Sequence, residues 1–225
     1  MRLFKGCHYP QDVILQAIRW YVAYPLSYRH VEELLQERGI FLDHATVNRW
    51  VIKFSPSLEG LFHLHKKPVL GSWRMDETYI KVKGQWFYYY RALDSHGNTI
   101  DFYLCDRRDE AAAKSFFEKA IARQGQPEKV NIDKSGANMA ALQSLNEDLP
   151  EDQKITIHQV KYLNQIIEQD HRFIKKVTKP MMGFKSFVTA HATLTGIELW
   201  HMIKKLQNKL HASLRPWEQF YALVG

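Results

Sequence analysis

Ser72-Trp-Arg-Met-Asp-Glu-Thr-Tyr-Ile80 opens the segment from which the architecture can be inferred. It is an apolar, β-like run with a carboxylate inside it. Residues 73–82 read as a strand, Gly84 as a turn, and residues 86–93 as a second strand dense in aromatics. Ser95-His-Gly-Asn98 is a hairpin turn signal, and a third strand follows over 99–105. Residues 110–122 read as a helix with Ala113, Phe116, Phe117, Ala120 and Ile121 on its apolar face. Gly125 and Pro127 interrupt the chain. A short strand over 129–132 ends at Asp133, and a helix (139–149), a strand (155–160) and a helix (165–177) complete the series. The order β-β-β-α-β-α-β-α describes an α/β unit, a mixed sheet covered by helices.

Three acids stand out against this pattern. Asp76 lies in the first strand, Asp133 ends the fourth in Val130-Asn-Ile-Asp-Lys134, and Glu168 lies in Asn164-Gln-Ile-Ile-Glu-Gln-Asp-His171. Carboxylates in apolar runs are costly to bury unless they are paired or hold a metal. On the last helix, Ile166, Ile167, Phe173, Ile174 and Val177 gather on one side at 100° per residue. Glu168 falls opposite, with Arg172 and Lys175 beyond it, and so can face a cleft. Asp170 falls within the apolar face, which disfavours it as a ligand. Glu168 with Arg172 is also what an ordinary surface i,i+4 pair looks like. Glu77 adjoins Asp76 and points to the other face of a strand, and pattern alone does not choose between them. Asp94, Asp101, Asp106 and Asp109 lie near strand ends or turns and read as structural.

The element order resembles the ribonuclease-H-like fold, in which acids come from the first strand, the fourth strand and a later helix. Asp76, Asp133 and Glu168 fall at those three places. Two Mg²⁺ ions ~3.5–4 Å apart, with Mn²⁺ as a substitute, would activate an attacking oxygen and stabilise a leaving oxygen on one phosphate. Asp76 would bridge both ions, Asp133 and Glu168 would hold one each, and Arg172 and Lys175 would contact DNA phosphates. The nucleophile would be water in a first step and a DNA 3′-hydroxyl in a second.

Upstream, three helix-like segments follow closely. Asp12 precedes the stripe Val13, Ile14, Ala17, Ile18 and Tyr21, and Pro25 ends it. Ser27 caps a second helix with Val31, Leu34 and Leu35, which Gly39 terminates. Asp43 caps a third with Val47, Trp50, Val51 and Phe54 on one face and His44, Thr46, Asn48, Arg49 and Lys53 on the other. Short helix, glycine turn and short helix with a basic outer face is a helix-turn-helix pattern, and Asn and Arg can each contact bases bidentately. A plain three-helix bundle with a solvated face fits this window equally well. The expected organisation is a DNA-binding module over 1–56, a linker over 57–68, the catalytic core over 69–180 and a helical extension over 181–225.

The 225 residues carry a net charge of +7, with a pI near 9.3, which fits a polyanionic partner. Cys7 and Cys105 are isolated, which argues against a zinc finger or a disulfide framework and reads as two buried free thiols. No apolar run approaches the ~18 residues that span a bilayer, and residues 1–11 show no signal segment, so the expected compartment is the cytoplasm.

Asp76-Glu-Thr-Tyr-Ile-Lys-Val-Lys-Gly84, Tyr90-Arg-Ala-Leu-Asp94, Asp133-Lys134 and Lys161-Tyr-Leu-Asn-Gln-Ile-Ile-Glu-Gln-Asp-His-Arg172 together resemble the blocks of bacterial DDE transposases of insertion-sequence family six. Phe4-Lys-Gly6, Leu26-Ser-Tyr-Arg29, His44-Ala-Thr-Val-Asn-Arg-Trp50 and Gly196-Ile-Glu198 are similar to other blocks of that family. Ile132 stands where the family more often has Thr, and Ser135 replaces a common Ala; neither removes a ligand. The resemblance implies an enzyme that binds short terminal inverted repeats, cuts the element's 3′ ends with Mg²⁺ and joins them to target DNA. Its partners would be double-stranded DNA, both element ends and target, and a homodimer or higher homo-oligomer that pairs two ends. Two other readings stay open: a domesticated, non-catalytic DNA-binding regulator, and a simple nuclease of ribonuclease-H type. Apolar residues at helical spacing over 190–210 (Leu194, Ile197, Leu199, Ile203, Leu206) pack on the core or form a dimer surface. Trp200 and Trp217 read as core or interface residues.

Overall fold

The computed structural model describes residues 3–160 and 165–225. The Lys161-Tyr-Leu-Asn164 part of the block that runs to Arg172 lies outside them. In chain order the elements are α1 (Gln11–Ala23), α2 (Tyr28–Gln36), α3 (His44–His63), β1 (Ser72–Val82), β2 (Gln85–Asp94), β3 (Thr99–Cys105), α4 (Glu110–Gln124), β4 (Lys129–Ile132), α5 (Gly136–Glu147), β5 (Thr156–Gln159), α6 (Gln165–Thr178), α7 (Phe187–Lys204) and α8 (Pro216–Tyr221). They form two compact units, one of residues 68–172 and one of residues 1–67 with 173–225.

The first of these is built on a five-stranded mixed sheet in the order β3-β2-β1-β4-β5. β1 pairs antiparallel with β2 and parallel with β4, and β4 is parallel to β5. This is the ribonuclease-H-like arrangement expected from the element order. Hairpins join β1 to β2 and β2 to β3. At the second, Asp94 accepts from the amides of Leu70, His96 and Asn98, so its carboxylate builds the turn. Asp101 pairs with Lys119, and Asp109 caps α4 through the Ala112 amide. One sheet face carries Trp73, Met75, Tyr90 and Ala92, which pack with Ala113, Phe116 and Phe117 of α4 and with Ala141 and Leu142 of α5. The alternation of these positions along β1 and β2 is what gives that face its core.

In the second unit, Ser27 and His30 form a reciprocal cap on α2, and Asp43 caps α3 through the Ala45 amide. α3 differs from the expected short helix followed by a linker. It runs 20 residues, through Pro56, to His63. Proline lacks one donor, but Phe54, Leu58 and Phe62 continue the buried stripe on both sides of it, and their burial outweighs one lost bond. Residues 57–63 are therefore helix, and seven residues separate α2 from α3.

The expected extension over 181–225 is likewise part of this helical unit. α7 packs on α3 and on α1, and 13 of its residues are buried. Leu206 lies beyond the helix and is exposed, with a positive φ. Trp200 is buried, whereas Trp217 is exposed under the Arg215 guanidinium. Cys105 is buried and Cys7 only half-buried, both free.

Gly196 marks a close approach of α7 to its neighbours. A Cβ there would lie 2.6 Å from Val22 Cγ1 of α1 and 3.0 Å from Ser55 Oγ of α3. Gly196→Ala should therefore destabilise the protein by about 1–3 kcal/mol through overpacking, despite the better helix propensity of alanine. Thermal melts of the two proteins check this, and an unchanged or raised Tm would contradict the close approach.

Candidate active site

β1 runs through the middle of its sheet, and its pairing with β4 is short. Ser72, Trp73 and Arg74 lie opposite Lys129, Val130 and Asn131. Carried two residues further, that register brings Asp133 level with Asp76. Neighbouring strands are ~4.8 Å apart, so the two carboxylates meet where β4 ends. Because β4 stops at Ile132, the edge of β1 beyond it is open. The side chains of Asp76 and Glu77, which leave opposite faces of the strand, can both turn into that gap.

One ligand atom each from Asp76, Glu77 and Asp133 lies within 4.8 Å of the others. Glu77 is the buried member, with 3% of its side chain exposed. Asn138, in the first turn of α5, donates Nδ2 to Glu77 Oε1 at 3.1 Å and approaches Asp133 Oδ1 at 3.4 Å. Arg108, in the loop before α4, reaches both acids at ion-pair distance: Nε to Glu77 at 3.5 Å and an Nη to Asp133 at 3.6 Å. Asp133 Oδ1 also accepts from the Ser135 amide at 2.9 Å, where α5 begins. Arg108 and Asn138 carry no signal in the sequence, and Glu77 enters it only as the rival of Asp76.

Burial raises the Asp76 carboxyl to about 7, and the charges of Glu77, Asp133 and Glu168 push in the same direction. Burial also raises Glu77, against the lowering pull of Arg108 and Asn138. The site therefore holds more negative charge than its protein cations neutralise. An all-oxygen donor set with that imbalance fits a hard divalent cation such as Mg²⁺.

On the other side of Asp76, His171 Nδ1 of α6 lies 3.7 Å from Oδ2. The cross-strand neighbour of Asp76 is Arg91, which is fully buried and donates to Asp170 at 2.6 Å. Asp170 is thus engaged in a structural ion pair. Glu168 is exposed on α6, as are Arg172 and Lys175. It stands outside the tight group of three, near enough for its charge to act on Asp76. Three carboxylates within 4.8 Å of one another already strain the site, and a fourth as close would cost more without a compensating cation. Ile166, expected among the apolar residues of α6, is exposed.

The helical residues separate into two groups. Arg49 and Lys53 of α3 are exposed, with Arg49 donating to Thr46 Oγ1 at 2.7 Å. His44 is held by Glu32 and Asp43, and both His44 and Asn48 line a cavity of about 570 Å³ with His30 and Met181.

The sheet order defines a ribonuclease-H-like core, with Asp76 and Asp133 side by side near its middle. A family of DDE domains, of the IS240 type, matches residues 71–207. The transposase for insertion sequence-like element IS431mec of Staphylococcus aureus is 40% identical over 213 residues, covering 93% of this chain and 92% of its own. The transposase for insertion sequence element IS257 in transposon Tn4003, also of S. aureus, is 39% identical over the same shares. The HTLV-2 integrase catalytic core domain in complex with magnesium aligns with a TM-score of 0.48 and 17% identity, over 69% of this chain and 97% of that one. The chain belongs to the bacterial DDE transposases of insertion-sequence family six. No helix among the described residues is long and apolar enough to cross a membrane.

Proposed function

We propose that this transposase binds the terminal inverted repeats of its insertion sequence, frees their 3′ ends and joins them to target DNA. The observation that carries this reading is the meeting of Asp76 and Asp133 at the open end of β4, in a cluster with excess negative charge. Two divalent ions bound there would supply an activated attacking oxygen and a stabilised leaving oxygen. Asp76 and Asp133 would be the central ligands, and Glu168 would be the third acid, approaching from α6. Glu77 acts as a positioning residue: through Asn138 and Arg108 it holds Asp133 at the end of its strand. Arg172 and Lys175, exposed beyond Glu168 on the same helix, bind DNA phosphates.

The test is a donor oligonucleotide carrying the element end, incubated with target DNA and Mg²⁺. Joined 3′ ends support the reading. Cleavage without joining would make the protein a nuclease, and binding without either product would make it a regulator. A homodimer or larger assembly on paired ends follows from joining two ends at once.

α3 supplies end recognition, with Arg49 reading bases and Lys53 anchoring phosphate. His44, Thr46 and Asn48 act from behind them, since His44 and Asn48 face the cavity. Arg49→Ala should cost about 1–3 kcal/mol of discrimination between element-end and random duplex. Lys53→Ala should weaken both about equally and lower the salt slope by about one. Titrations of both duplexes over a salt series check this. A uniform loss in Arg49→Ala would reassign it as a phosphate anchor.

A further inference from the structure

The β1–β2 hairpin carries an exposed aromatic surface that neither the core nor the acid cluster explains. Residues 78–90 hold six aromatic side chains, two lysines and no acid. Most of these rings are at least partly buried, but Trp86 is 62% exposed and Tyr79 49%. Register places Tyr79 opposite Tyr88 and Lys81 opposite Trp86, so all four share one sheet face. Tyr79 lies 5.5 Å from Tyr88 and 6.5 Å from Trp86 between ring centroids, and Lys81 Nζ sits 5.9 Å from the Trp86 ring. Lys83 and Gly84, both at positive φ, turn the hairpin tip.

By strand alternation this is also the face from which Glu77 leaves β1. Tyr79 follows Glu77 by two residues and Lys81 by four, about 7 and 14 Å along the strand. Tyr79 is near enough to Arg108 to belong to its electrostatic surroundings, and Arg108 reaches both Glu77 and Asp133. The aromatic surface is therefore continuous with the acid cluster. It lies within two to four nucleotide steps of it, at ~3.4 Å per stacked nucleotide.

We propose that Trp86 and Tyr79, with Lys81 beside them, form a stacking platform for unpaired nucleotides of the DNA strand next to the reacting phosphate. The exposed rings offer π-faces, which bind any base once it has left its pair, and the lysines answer the phosphates. The charge of the hairpin selects this occupant over a second copy of the chain. Two such hairpins would bring like charges together, and two half-exposed rings fall far short of the roughly 800 Å² per partner of a stable interface. The inference rests on the proposed function only in taking DNA as partner.

The test uses the full chain in EDTA, so that binding is read without reaction. Two element-end duplexes are compared, one fully paired and one with its three terminal nucleotides unpaired and 2-aminopurine among them. The unpaired end should bind the parent more tightly, with a change in 2-aminopurine emission. Trp86→Ala should lose about 5- to 150-fold of affinity for the unpaired end, the equivalent of one stacked base. Its affinity for the paired end should stay within about twofold, and Trp86→Phe should recover most of the loss. Tyr79→Ala provides a second, independent variant, and melts of both confirm folding. Equal binding of both DNAs by the parent and Trp86→Ala overturns the platform. So does a Trp86→Ala protein that binds DNA normally but sediments as a smaller species, which would make the surface a protein interface. A parent that stacks unpaired ends but never joins them would sink the proposed function and leave the platform standing.

Discussion

Asp133→Asn should abolish strand transfer while element-end binding stays nearly intact. Asparagine is almost the same shape, and its side-chain oxygen can still accept from the Ser135 amide that fixes the start of α5. The substitution removes one ligand charge from the cluster and little else. If Asp133 holds the ions proposed to activate the nucleophile, its loss should slow joining at least about a thousand-fold, ~4 kcal/mol of barrier. The helices expected to read the ends belong to the other compact unit and are untouched. Gel-shift binding and strand-transfer yield, measured on the same preparation, check this. Mutant activity equal to the parent's would refute the catalytic role of Asp133.

Asp76→Asn should also be inactive, but without metal it should be more stable than the parent above neutral pH. Burial and three neighbouring acids raise the Asp76 carboxyl to about 7. The folded protein therefore keeps a proton on Asp76 between about pH 4 and 7 that the unfolded chain has released. More protons bound in the native state means that stability falls as pH rises through that window, and the full cost remains above it. The neutral amide escapes this cost, worth on the order of 2–4 kcal/mol at pH 8 and close to nothing at pH 4. Thermal melts in EDTA at the two pH values read the difference directly. A lower Tm for Asp76→Asn at pH 8 would contradict a site strained by like charges. The same strain predicts that Mg²⁺ raises the parent's Tm more at pH 8 than at pH 5.5, because protons compete with the cation for Asp76.

These two outcomes together would show an active site held in a costly arrangement for the sake of its chemistry. Glu77 adds to the cost. It is a buried acid whose partners, Asn138 and Arg108, also reach Asp133, so the surroundings that make Glu77 tolerable also orient its neighbour.

Much of this was legible along the chain. β3 begins and ends where turn chemistry and alternation put it, at Thr99 and Cys105, and β1, β2 and β4 fall within a residue of their expected limits. Asp76 and Asp133 could be picked out because a charge inside an apolar strand needs a reason, and that need is local. The apolar stripe of α6 likewise announced that Glu168 points outward. Each of these signals is carried by residues a few positions apart, whose spacing alone fixes which face they share.

What the sequence could not determine depends on which strangers along the chain become neighbours. Pro56 looked like the end of α3 until the buried stripe Phe54, Leu58 and Phe62 carried the helix past it. The apolar spacing over 190–210 fits either packing on the core or a dimer surface, and the structure places α7 against α1 and α3 so closely that only glycine fits at position 196. The choice between Asp76 and Glu77 could not be made from strand alternation, and the structure shows why. β4 stops short of them, so side chains leaving opposite faces of β1 meet in one gap. Local spacing decides periodicity and facing; where a partner strand ends, and what then fills the opening, is decided only by packing between segments far apart in the chain.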